Sequence, residues 1–213
     1  MEFNIISEGL TDQIIIEAIL QGHLKSVDLI LNPLQPKKDQ PGGWHLVVDY
    51  CKSSDFKESL PYSDGITIIH IDCDVLKGEA IPEDCYMSFN GLSTPEIFEM
   101  VKAKLIEFIT PEVFTHCADR VVFAIAVDDI ECWLLPIYFP NRKTTCNKIS
   151  GCIATLNPRL VAEHDFFIDD KDPENYKIMA KALKKNKTVK HCYDRNESFA
   201  LFIDSLSSAI ASL

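Results

Sequence analysis

The sequence predicts an α/β fold: a three-layer sandwich around a mainly parallel central sheet, with a C-terminal helical addition. Three observations lead there. Strand-like and helix-like segments alternate through the first two-thirds of the chain, the order that builds parallel sheets. One segment, Gly65 to Val75 (GITIIHIDCDV), is β-branched and almost continuously apolar, as suits a strand covered on both faces. The last third changes pattern and reads as helices alone.

Phe3 to Gly9 (FNIISEG) reads as a short buried strand ending in a turn. In the next segment, LTDQIIIEAILQG, Thr11 is the expected N-cap and Asp12 suits the positive end of the helix dipole. Gly22 is the expected stop. This helix is apolar nearly all round, so deep packing is expected. Val27 to Leu34 gives a second short strand, leaving through Pro33 and Pro36, and QPKKDQPGG is a loop by composition. Trp44 to Leu60 is mixed but mostly helical.

After the third strand, VLKGEAIPEDCYMSFNGLS is an irregular connection. A helix restarts at Ser93 or Thr94, with Pro95 in its first turn and Ile97, Val101, Leu105, Phe108 and Ile109 on one face. Arg120 to Val127 (RVVFAIAV) is the fourth strand, running into DDIECWLLPIYF, a helix stopped by Pro140. GCIATLNPRLV, DPENYKIMAKALKKNK and the stretch carrying Phe199, Phe202, Leu206, Ala209 and Leu213 complete the helices. Residues 1–140 are therefore expected to form the α/β core and 141–213 a helical extension packed on it.

Composition narrows the function. Of 213 residues, 46% are apolar and 25% charged, ordinary for a folded soluble protein. No apolar run is long enough to cross a bilayer. MEFNIISEGL has no basic stretch before its apolar residues, so it does not read as a secretory signal and a cytoplasmic location is expected. A net charge of −11 repels nucleic acid at long range and counts against a nucleic-acid-coating protein. It leaves room for an enzyme that holds a phosphodiester through a metal and a local basic patch. The eight cysteines form no CxxC, so a zinc knuckle is poorly supported and reduced structural thiols are expected.

Carboxylates follow three of the strands. Glu8 follows the first, Asp72 and Asp74 end the third, and Asp128, Asp129 and Glu131 follow the fourth. Ligands of open parallel sheets bind beyond the carboxyl ends of the strands. Packed carboxylates repel and raise one another's pKa, and a hard divalent cation such as Mg²⁺ or Mn²⁺ removes that penalty.

The motifs ISEGLTD and IIHIDCDV resemble the first and second motifs of TOPRIM domains, the fold shared by topoisomerases, bacterial primases and several nucleases. EG-x-T-D is especially similar to the old-family (overcoming-lysogenisation-defect) nucleases and related small phage-defence proteins. VDDIECWLLP also looks like a segment of small bacterial TOPRIM-like proteins. The resemblance covers roughly Phe3 to Ile137 by order of elements. It implies a TOPRIM/Rossmann-like core and a Mg²⁺- or Mn²⁺-dependent nuclease in a phage-defence or mobile-element setting. In it Glu8 would be the acid–base or metal-binding glutamate, Asp72 and Asp74 the metal-binding DxD, and Asp12 the acid that opens the first helix. Asp128 and Glu131, with Asp129, would hold a second metal or cap the helix. The implied substrate is DNA or RNA. The catalytic lysine of the nuclease branch has no clear position, with Lys143 and Lys148 as candidates. No G-x-x-x-x-G-K-[ST] occurs, so an ATPase partner would be a separate subunit. Homodimerisation is left open.

Lys181, Lys184, Lys185 and Lys187 form a basic stretch that would face a phosphate backbone or simply lie solvated on a helix face. His70 lies two positions before Asp72 and shares its face, either as a hydrogen-bonded core histidine or as support for the site. DCDVLKG also allows a rival reading, a haloacid-dehalogenase-like phosphatase with Asp72 as nucleophile, and the acidic surface and helical tail allow another, a non-catalytic interaction subunit of an ATPase. The phosphatase motif normally lies on the first strand, and that reading leaves Glu8 unexplained.

Overall fold

The computed structural model describes residues 1–25, 28–76, 82–168 and 171–213. Its strands are β1 (Glu2–Ile6), β2 (Ile30–Gln35), β3 (Ile66–Asp72) and β4 (Val121–Ala126). They form one parallel sheet in the order β2-β1-β3-β4. The chain steps from β1 outward to β2, then returns to place β3 on the other side of β1. The switch point of the sheet thus lies between β1 and β3, where ligands of such folds collect.

The helices are α1 (Leu10–Leu24), α2 (Trp44–Lys52), α3 (Ser54–Ser59), α4 (Thr94–Ile109), α5 (Pro111–Thr115), α6 (Leu135–Tyr138), α7 (Lys143–Cys146), α8 (Cys152–His164), α9 (Pro173–Ala180), α10 (Asn186–Tyr193) and α11 (Glu197–Ala211). They make two outer layers. On one face, Phe3, Ile5, Ile66, Ile68, Val122 and Ala124 pack against Ile15, Ile16 and Ile19 of α1 and Phe199, Phe202 and Leu206 of α11. On the other, Ile6, Ile69, Ile71, Phe123 and Ile125 meet Val47, Val48 and Cys51 of α2 and the apolar face of α4. Each fully buried isoleucine stabilises the fold by about 1.5–3 kcal/mol before its ordering entropy is subtracted.

The alternation along β3 decides the site. Ile66 and Ile68 belong to the core beside α1, so His70 and Asp72 point the same way. Every residue of β3 is buried.

Several boundaries differ from expectation. The N-cap of α1 is Gly9, not Thr11, because the Asp12 carboxylate reaches back to the Gly9 N–H at 2.7 Å and starts the helix earlier. Gly22 does not end α1. It lies inside the helix, where a Cβ would come within 1.9 Å of the Leu183 carbonyl oxygen, so it is the bare seat for the C-terminal helices. Residues 44–60 break into α2 and α3 because Ser53 is extended and caps α3. DDIECWLLPIYF opens as a 3-10 turn, Ile130–Leu134, before the short α6. The expected start of the second strand at Val27, and residues 77–81 of the irregular connection, lie outside the described residues.

The cysteines also differ from the expected set of free thiols. Cys132 and Cys152 form a disulfide, because the 3-10 turn and the first residue of α8 bring their Cα atoms to 5.1 Å. The other six are buried and form no disulfide. Among the described residues no helix is long and apolar enough to cross a membrane.

Candidate metal centre

The first strand leaves the sheet through Ser7, which is fully buried and donates its N–H to the Gln35 carbonyl at 2.7 Å. Glu8 comes next and turns across the sheet edge. Its Oε1 accepts the backbone N–H of Asp72 at 2.7 Å. Its carbonyl accepts the Gly43 N–H at 2.6 Å, and Gly42 is pressed so close that a Cβ there would lie 2.0 Å from the Glu8 oxygen. The glycines of QPGGW therefore clamp the turn that carries Glu8.

Beneath this turn lie Asp12, His70 and Asp72, exposed by 1%, 0% and 3%. His70 Nε2 stands 3.3 Å from Asp72 Oδ1 and 4.0 Å from Asp12 Oδ2. One ligand atom from each of the three lies within 4.8 Å of the others, a spacing able to hold a metal ion. The donor set fits such an ion on a second count: His70 Nε2 and Asp72 Oδ1 are both buried with no hydrogen-bond partner among the described residues. Buried polar atoms are rarely left so.

Asp128, Asp129 and Glu131 wall the other side. Asp129 caps the 3-10 turn by accepting the Cys132 N–H at 3.1 Å, and the Asp128 carbonyl accepts the Asp74 N–H at 3.0 Å. Glu131 is fully buried; its Oε1 takes the hydroxyl hydrogen of Tyr176, and its Oε2 has no hydrogen-bond partner among the described residues. Asp128, Asp129, Cys132 and Cys152 form a second grouping with ligand spacing, but its sulfurs are joined to each other.

The electrostatics follow from crowding. Burial, then the Asp72 charge, pushes the Glu8 pKa well above its ordinary value. Burial, then Asp12 and Glu131, does the same to Asp72. Burial, then Glu131 and Asp72, lifts Asp129 to about 9. Burial also raises Glu131, opposed by the Tyr176 hydrogen bond.

One cation reaches this cluster from the C-terminal third. Lys171 stands just before the α9 N-cap Asp172 and, with Glu8, Gly9, Thr11, Gly42 and Gly43, lines a cleft of about 300 Å³. Partial burial of its ammonium lowers its pKa, but Asp12, Glu131, Asp72 and Glu8 together raise it by more. Its φ of +50° is a conformation that non-glycine residues rarely hold, as is the +83° of Asp128.

Of the sequence-derived candidates, Glu8, Asp12, Asp72, Asp128 and Glu131 meet here. Asp74 is exposed at the rim and raises the pKa of both Asp72 and Asp129. Neither candidate lysine lines the cleft: Lys148 donates to Thr155 Oγ1 at 2.7 Å, and Lys143 opens α7. Lys171 was missed. Its only local signal is the helix start Asp172-Pro173-Glu174 that follows it. Tyr176 was missed as well. The basic stretch Lys181, Lys184, Lys185 and Lys187 is exposed near Leu183, which packs at Gly22. Gly22 is ten residues along α1 from Asp12, roughly 15 Å by helical rise, so these lysines do not line the cleft.

Fold and site together define a doubly wound α/β protein with a buried acidic cluster of metal-ligand spacing at its switch point. Comparison with protein-family models, curated proteins and solved structures finds no match to the chain.

Proposed function

We propose that the chain is a metal-dependent phosphodiesterase of the TOPRIM kind, a nuclease that binds Mg²⁺ or Mn²⁺ through the Asp12, His70 and Asp72 cluster. The observation that carries this reading is the hydrogen bond from the Asp72 N–H to Glu8 Oε1, which joins the EG-x-T-D and D-x-D motifs at one sheet edge. A bound divalent cation would polarise the scissile phosphate and acidify an attacking water. Glu8 lines the cleft, and its raised pKa suits it to take that water's proton. Lys171 faces the same cleft and would balance the charge gathering on the phosphate oxygens. It takes the place for which Lys143 and Lys148 were the sequence candidates. The chain's overall charge of −11 means that substrate is held by this local cation pair, metal and lysine, rather than by long-range attraction.

The test is incubation of purified protein with plasmid DNA and with tRNA in the presence of Mn²⁺. Cleavage by wild type, abolished in Asp72→Asn, is the expected result. If neither nucleic acid is cut, the nuclease reading fails.

A further inference from the structure

We infer that His70 is an inner-shell ligand through Nε2, and that this nitrogen makes the centre select a first-row transition ion, such as Mn²⁺, Co²⁺ or Zn²⁺, over Mg²⁺. The inference rests on the metal-centre reading above and deepens it by naming the class of ion.

The ring's proton is assigned by its surroundings. His70 Nδ1 lies 2.6 Å from the Ala124 carbonyl oxygen on the neighbouring strand. A carbonyl only accepts, so Nδ1 carries the hydrogen. In the neutral ring Nε2 is then a bare lone pair, aimed at Asp12 and Asp72. This is how metal-binding histidines are commonly held: one nitrogen donates to a carbonyl or carboxylate, which fixes the tautomer and frees the other for the ion. Trp133 fixes the ring further, with centroids 6.2 Å apart at an edge-on angle of 65°.

The alternative role for His70 is an imidazolium salt-bridged to the two aspartates. The geometry speaks against it. At 3.3 Å, Nε2 and Asp72 Oδ1 are near enough for an ion pair, yet neither atom makes a hydrogen bond among the described residues. A protonated Nε2 in so buried a site would be seated to donate. Two orphaned atoms facing one another across a gap are what a site for an ion, rather than a proton, leaves behind.

The choice of ion follows from donor chemistry and burial. Imidazole nitrogen suits transition ions, whereas Mg²⁺ prefers oxygen. Mg²⁺ also sheds water reluctantly and usually keeps several waters. Asp12, His70 and Asp72 are at most 3% exposed, so an ion among them gives up much of its hydration.

The experiment uses the full chain, stripped with chelator and titrated calorimetrically with CoCl₂ and with MgCl₂, without nucleic acid. Co²⁺ is expected to bind at one site far more tightly than Mg²⁺. Replacing the nitrogen donor, His70→Gln, should reduce the Co²⁺/Mg²⁺ affinity ratio by at least about 10- to 100-fold, the loss that removing even an outer partner of a ligand causes. Because His70 is buried, a second measurement avoids substitution: nitrogen NMR of histidine-labelled wild type titrated with Zn²⁺. One ring should shift at Nε2 while keeping its Nδ1 hydrogen. Equal affinity for Co²⁺ and Mg²⁺, or no histidine shift with Zn²⁺ bound, overturns the inference. Tight, His70-dependent Co²⁺ binding in a protein that cuts nothing upholds it while removing the nuclease reading.

Discussion

Glu8 accepts the backbone N–H of Asp72 across a separation of 64 residues, at 2.7 Å. The bond spans the switch point of the sheet, so it welds the exit of one strand to the end of the next. Glu8 is thus held by backbone on both sides: its carboxylate by Asp72 and its carbonyl by Gly43.

Glu8→Gln keeps this bond, since the amide oxygen can still accept, but removes the proposed proton acceptor. Cleavage with Mn²⁺ should fall by about 10²–10⁴-fold. The thermal midpoint of the metal-free protein should stay level or rise, because a buried charge has been replaced by a neutral group. Parallel turnover and melting measurements check this; a collapse of stability with activity intact would contradict it.

Lys171→Met should reduce turnover by about 10²–10³-fold, the usual loss when one charge-stabilising donor is removed. Lys148→Met serves as the control, because its ammonium is engaged with Thr155 away from the cleft. Equal effects of the two substitutions would take Lys171 out of the site.

The metal-free protein should lose stability as pH rises. Glu8, Asp72, Asp129 and Glu131 all have folded pKa values above their ordinary ones. Below about pH 4 both states are protonated at these groups and nothing is lost. Above it the unfolded chain ionises first and binds fewer protons, so stability falls until the folded groups ionise, up to about 9 for Asp129. Lys171 opposes this by remaining charged beside them. Melting curves with chelator and with Mn²⁺ should diverge across that window. Metal at about 100 times its Kd should restore about 2.7 kcal/mol.

Alkylation of the unfolded, unreduced chain should modify the six cysteines outside the disulfide and reach all eight only after reduction. Cys132→Ser with Cys152→Ser should cost roughly 3 kcal/mol, the scale for a closed loop of this length. The bridge spans 20 residues and ties the 3-10 turn bearing Glu131 to α8. Mass spectrometry and denaturant melts decide both points.

Much of the frame was legible because it is local. Alternating strands and helices, the apolar run of β3 and the acids at strand ends are visible in windows of ten residues, and parallel topology sends those ends to one edge. Gly22 misled because, taken alone, a glycine late in a helix looks like a stop; only the arrival of Leu183 shows why it lacks a side chain. Cys132 and Cys152 misled for the same reason, since nothing nearby in the chain announces their meeting. Lys171 was invisible because its role depends on α9 packing along α1, a tertiary fact with no periodic trace. His70 was placed on the correct face by strand alternation, while its tautomer needed the neighbouring strand's carbonyl.

The position of Lys171 has a consequence for synthesis on the ribosome. The described acids Glu8, Asp12, Asp72, Asp128, Asp129 and Glu131 lie in the first 131 residues, whereas Lys171 and the Tyr176 hydroxyl come 40 or more residues later. On the ribosome these acids are therefore made well before Lys171, the described ammonium that faces them. The cluster as described is complete only once the segment carrying Lys171 and Tyr176 has been made and packed against α1.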